Sequence, residues 1–232
     1  MYSYLPSVFS SFISDLPSFL LSLPIILFSL SAHEAAHGWA AYKMGDPTAR
    51  NLGRLTLNPM KHIDPVGALA MAFFHFGWAK PVPINARNFK NPRRGMALSA
   101  LAGPCANLIL GFLGVILVRL YFLIGSLLHL FEAQSGFTVT LTSLIYIFFY
   151  LFAYLNVSLA VFNLIPVPPL DGSRILLIFL PPKAYFGLMR YERYIQIILI
   201  IALWMGLLST PLSYLVSLVI SGMEWLVSWI PV

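Results

Sequence analysis

The chain has 232 residues, 59% of them apolar and 9% charged, with a formal net charge of +6 and a mean hydropathy of +0.83. Soluble domains carry roughly 25% charged residues, so a chain this poor in charge cannot cover itself with a solvated surface. The positive balance does not point to nucleic acid, because Lys and Arg, Arg119 apart, fall in three short segments between apolar runs (43–61, 80–94 and 174–193) without an aromatic-interleaved basic patch.

That distribution follows the positive-inside rule, in which Lys and Arg mark short cytoplasmic loops. The lone cysteine, Cys105, excludes an intramolecular disulfide and a cysteine-based metal cluster. Beside Gly103 and Ala106 it reads as a small packing residue. No Lys or Arg precedes Lys43, so the N-terminus lacks the basic region of a cleaved signal peptide and is expected to stay in the mature protein.

In chain order, the Ser-rich apolar residues 1–15 suit the membrane interface, and Leu16 to Ala41 is long enough to span it. Residues 46–64 are polar, with Pro, Asn and Gly as turn signals. Val66 to Ala79 is apolar but too short for a spanning helix. Basic segments flank it on both sides, so it is predicted to dip in and return. Its backbone then needs partners, and strand pairing with part of 47–57 or 80–86 would supply them. Met96 to about Val118 is the next span, with Arg119 snorkelling to the far interface. Residues 120–138 form the opposite loop, and Val139 to about Phe162 spans again. Pro166, Pro168 and Pro169 then force extended backbone. Residues 173–193 are amphipathic and basic, and Tyr194 to Ile230 forms either one span with a tail or two short helices split at Thr210–Pro211. The expected architecture is an all-α polytopic membrane protein, a single domain over 1–232. It has about 4–6 transmembrane helices and a short re-entrant or β-hairpin segment near 50–86.

HEAAH occupies residues 33–37 on the first span. Positions i and i+4 of a helix face the same way, so His33 and His37 can grip one metal ion. Glu34, rotated by about 100°, reaches a water on that metal instead of the metal itself. Ionisable groups within a span are costly and usually functional, and here three share one helix. A catalytic zinc takes three protein ligands and leaves a position open. With the basic loops inside, the first span runs inward and HEAAH lies about 9–15 Å from the cytoplasmic interface at 1.5 Å per residue. The span 139–162 also runs inward, so Asp171 reaches a similar depth, whereas Glu132 and Glu224 fall on the far side. Asp46 and Asp64 read as ordinary loop residues. Asp171 is therefore the expected third ligand.

HEAAH on a membrane helix, followed by Asn163-Leu-Ile-Pro-Val-Pro-Pro-Leu-Asp171-Gly172, closely resembles the site-2 protease family, peptidase family M50. The family's second motif, Asn-x-x-Pro-x-Pro-x-Leu-Asp-Gly, is matched at every fixed position. GDPTARNLGRLTLNPMKHIDPVG, WAKPVPIN and NPRRGM are similar to its compact bacterial and archaeal branch. The resemblance implies one Zn2+ per chain on His33, His37 and Asp171, with Glu34 as the catalytic acid/base. It also implies a place near the metal for Asn163, whose amide would bind the substrate backbone or the developing oxyanion. Asn107 matches the family's GPxxN pattern and is expected to assist. The other reading of both asparagines is a helix-packing amide. His62, in the matching NPMKHIDP stretch, reads as an exposed loop histidine, and His75 and His129 match no family feature. No segment is left over for a PDZ or CBS domain.

The expected function is hydrolysis of peptide bonds within or beside transmembrane segments of a membrane-protein substrate, with the zinc nearer the cytoplasmic face of the cell membrane. An extended substrate would add to the edge of a re-entrant strand near 66–84. The alternative is a non-proteolytic membrane binder or metal carrier on the same fold, against which Glu34 argues, since a carrier has no need of a general base.

Overall fold

A computed structural model of the chain describes residues 5–67, 79–132 and 136–231. Its long elements are α1 (Leu5–Lys43), α3 (Pro92–Leu127) and α4 (Gly136–Leu164), with the one-turn helix α2 (Thr48–Asn51) between the first two. Four shorter helices follow: α5 (Asp171–Ile175), α6 (Pro182–Arg190), α7 (Glu192–Trp204) and α8 (Ser209–Leu226). No β-strand occurs among the described residues. Among the described residues, three helical stretches are long and apolar enough to cross a membrane: Leu20–Lys43, Pro92–Leu127 and Gly136–Leu164. The pair α7–α8, bent by 84° at its break, makes a fourth if taken as one broken span. The fold is the expected all-α membrane architecture; its three spans fall below the expected count, which is reached only if α7–α8 is taken as a fourth. The tail divides into two helices because Gly206, at φ +72°, ends the first where a side chain would strain the backbone.

The helices pack closely where side chains are small. Lipid tails are as apolar as the helices, so association rests on close approach and on polar contacts. Gly114 of α3 lies against Ala153 of α4: a Cβ at Gly114 would stand 2.7 Å from the Ala153 nitrogen. At Gly111 a Cβ would stand 2.6 Å from Val157 Cγ2. α8 completes this layer through Val216, packed with the buried Val157 and Val161. Cys105, read from sequence as a packing residue, is exposed instead. It falls on the face of α3 opposite the residues that approach α1 and α4.

The polar loops form a scaffold at the C-terminal end of α1. Asp46 is fully buried, and its carboxylate accepts from the Thr48 N–H, the Thr48 hydroxyl, the Asn85 N–H and the Asn88 amide. These bonds outweigh the burial that would raise its pKa and hold the carboxyl below the ordinary carboxylate range. Arg54 donates from Nη2 to the carbonyls of Lys80 and Pro81 at 2.7 and 3.4 Å. The Lys80 N–H donates to the His62 carbonyl at 2.8 Å, next to an antiparallel bridge between Ile63 and Ala79. The chain that leaves at Ile63 thus returns beside it at Ala79. The apolar segment between them, expected to be re-entrant, lies largely outside the described residues. The expected pairing of that segment with 47–57 or 80–86 falls outside the described residues with it. His62 is a correction: it is 2% exposed, with its ring donating to the Thr56 carbonyl at 2.8 Å. Tight packing of 54–63 against 79–82 buries it, and local polarity in the sequence does not reveal that packing.

Candidate metal centre

α1 presents His33 and His37 one turn apart on its buried face, at 4% and 6% exposure. Asp171 begins α5, which folds back against the end of α4. That reversal depends on Gly172, where a Cβ would stand 2.3 Å from the Leu164 carbonyl oxygen and 2.4 Å from that of Ile165. The Pro-rich stretch before it breaks α4, and the buried Leu170 anchors the return.

Three potential ligand atoms converge there. His33 Nε2 lies 2.9 Å from His37 Nε2, and the two nitrogens lie 3.1 and 3.2 Å from Asp171 Oδ2. The ring contacts behind them fix what these atoms carry. His33 Nδ1 is 2.5 Å from Asn107 Oδ1, and His37 Nδ1 is 2.7 Å from the Ser99 carbonyl oxygen. A carbonyl oxygen can only accept, so both Nδ1 atoms hold protons. In the neutral rings both Nε2 atoms then present bare lone pairs to each other and to a carboxylate. Three electron-rich atoms this close call for a cation among them. A triangle with these sides has a circumradius of about 1.8 Å, and zinc–ligand distances are about 2.0–2.2 Å. The three atoms are therefore close enough together to share one ion. His33, His37 and Asp171 fit a three-ligand metal centre.

α3 makes room for the rings. A Cβ on Gly103 would stand 2.5 Å from His37 Cε1 and Nε2 and 2.7 Å from His33 Cε1. Asn107, one turn further along the same face, reaches His33 Nδ1. The GPxxN stretch is thus a socket for two imidazoles. Asn107 is fully buried, and its carboxamide is taken up by His33, Ser29 and Asn156. The structure places it behind the ligand, not among the residues lining the cavity in front.

That cavity has a volume of about 420 Å³. Glu34 and Asn163 both line it, beside the three ligand residues. Asn163 donates one amide proton to the Leu159 carbonyl at 2.8 Å, which leaves its second N–H for a guest. Glu34 Oε2 accepts the Val82 N–H at 2.7 Å. Arg174 and Gln196 add further polar groups to the lining, and the remainder is mostly apolar.

The loop scaffold holds Val82 in place, and it has a second effect. Pro81 and Pro83 have no N–H, and the N–H groups of Lys80, Val82 and Asn85 go to His62, Glu34 and Asp46. Residues 80–85 therefore offer an added substrate strand few donors, while 68–78 lie outside the described residues. Sequence reasoning missed Val82, the Ser99 carbonyl and Asn156. The first two act through backbone atoms, which leave no mark in residue identity. Asn156 carried a signal, as a carboxamide within an apolar span.

The family description Peptidase family M50 matches residues 21–209. The chain belongs to this family. It is a membrane metalloprotease by that membership and by its apolar helices. Among its M50 relatives is the protein named "Putative zinc metalloprotease YwhC" of Bacillus subtilis, 41% identical over 188 residues, which cover 81% of this chain and 80% of that one. The proteins named "Putative zinc metalloprotease Rip2" of Mycolicibacterium smegmatis and Mycobacterium tuberculosis (strain H37Rv) are 29% and 28% identical over 66% and 75% of this chain. The matches span 55% and 63% of the Rip2 proteins. No solved structure matches the chain.

Proposed function

We propose that this M50 member is a site-2-type intramembrane zinc protease that hydrolyses peptide bonds within or beside transmembrane segments of membrane proteins. The observation that carries the reading is the convergence of His33, His37 and Asp171 beside Glu34 in one cavity between apolar helices. The names of the relatives support zinc as the ion. Zinc bound there supplies Lewis acidity toward the scissile carbonyl and lowers the pKa of its water.

The chain's own groups do the rest. Glu34, steadied by the Val82 N–H, takes the proton of the attacking water as its oxygen bonds to the carbonyl carbon. It then delivers that proton to the amide nitrogen as the C–N bond breaks, which frees an amine and a carboxylic acid, whose proton passes to the amine. The free N–H of Asn163 stabilises the oxyanion or holds the substrate backbone. The apolar wall accepts side chains of a locally unwound transmembrane helix. Lys and Arg bias supports a site nearer the cytoplasmic face of the cell membrane.

The test is cleavage of a single-span substrate by wild type and Glu34→Gln, both in detergent with zinc. Cleavage by wild type alone is expected, and equal cleavage by both would sink the assignment. A reporter fused at residues 88–92 checks orientation; a reading on the outer side would overturn the cytoplasmic placement.

A further inference from the structure

We infer that Asn107 and Asn156 form a positioning relay that holds His33 in its Nδ1–H form and ties the metal ligand to α4. This rests on the metal reading above. The relay runs through carboxamides whose orientations are fixed one after another. Asn156 donates from Nδ2 to the Phe152 carbonyl of its own helix at 2.9 Å, so its Oδ1 must face the other way. That oxygen accepts from Asn107 Nδ2 at 3.0 Å, and the same nitrogen donates to the Ser29 carbonyl of α1 at 3.3 Å. With its nitrogen committed to two acceptors, Asn107 has only Oδ1 to turn toward His33, at 2.5 Å. The imidazole must donate there, and its Nε2 lone pair is left for the metal.

Two further observations separate this from simple helix packing. Both asparagines are fully buried within spanning helices, where an amide is costly unless every group is matched. An apolar residue of similar size would fill either site without that cost. The two ligands are also held differently. His37 leans on the main-chain carbonyl of Ser99, which no substitution at residue 99 removes, whereas His33 depends wholly on a side chain. Asn156 also stands seven residues before Asn163, nearly two helical turns, so both lie on one face of α4. The helix that presents Asn163 to the cavity thereby also sets His33.

The experiment compares zinc affinity, by chelator competition in detergent, for the full-length wild type, Asn107→Leu, Asn107→Asp and Asn156→Leu. Thermal stability of each metal-free protein is measured alongside. Asn107→Leu is expected to bind zinc about 10–100-fold more weakly, the range for lost partners of metal-bound histidines. Asn107→Asp, which keeps an oxygen on Nδ1, is expected to bind more tightly than Asn107→Leu. Asn156→Leu, which touches neither His33 nor the ion, is expected to fall between wild type and Asn107→Leu. Affinities within about twofold of wild type in both leucine variants, with only metal-free stability lowered, would reduce the pair to packing and overturn the relay. Should Asn107→Leu not fold, Asn156→Leu decides by the same criterion. A wild-type protein that binds no zinc would overturn the metal reading itself, and the relay with it.

Discussion

The backbone N–H of Val82 donates to Glu34 Oε2 at 2.7 Å, which joins the candidate base to a loop that shares none of its helix. A hydrogen bond to a charged group contributes about 1.5–3 kcal/mol. Val82→Pro removes the donor and leaves the three candidate ligands untouched. It is expected to lower kcat about 10- to 100-fold at unchanged zinc content. Metal analysis beside steady-state cleavage checks both halves, and an unchanged kcat would show that Glu34 needs no such anchor.

Gly103 is the tightest point of the socket, with no space for a Cβ between α3 and the two rings. Gly103→Ala must push at least one imidazole off its position. Overpacking of this kind costs about 1–3 kcal/mol, so the helices should remain folded while zinc is lost. The expected outcome is near-native helicity by circular dichroism with zinc well below the wild-type content.

Zinc bound at the proposed centre would also add stability. A ligand that binds only the folded chain stabilises it by about 2.7 kcal/mol at a hundredfold excess over Kd. Adding a strong chelator should lower the melting temperature of wild type and leave that of Asp171→Ala unmoved. If both shift equally, the chelated ion acts elsewhere.

Asp46 predicts an acid limit for the loop scaffold. Its folded pKa lies below the ordinary value, so its contribution is fully present above the ordinary aspartate pKa of about 3.9. It is lost as pH falls through the folded value. Protection of residues 79–91 from hydrogen exchange should hold from neutral pH to about pH 4.5 and then decline. In Asp46→Asn that part of the acid dependence should vanish, and protection should be lower at neutral pH.

The parts of the centre differ in how far residue identity exposes them. HEAAH displays its chemistry through helical spacing, and the depth of Asp171 follows from counting spans, so the residues that the structure brings together could be named in advance. Gly103 and Asn107 stood out only as members of a pattern. Their work depends on the distance between α1 and α3, which one-dimensional order does not contain. Asp46 and His62 looked like solvated loop residues because their neighbours are polar. Burial came from a second loop more than fifteen residues away, tied on by Arg54 and by the Ile63–Ala79 bridge. The Ser99 carbonyl and the Val82 N–H are main-chain groups, identical in every sequence apart from proline.

His33 and Asp171 stand 138 positions apart in the chain. During synthesis the first helix enters the membrane with its histidines long before the aspartate has been made. Until α4 is threaded and α5 turns back, the nascent chain holds two imidazoles without their carboxylate. A centre that needs all three groups is therefore incomplete until the last third of translation.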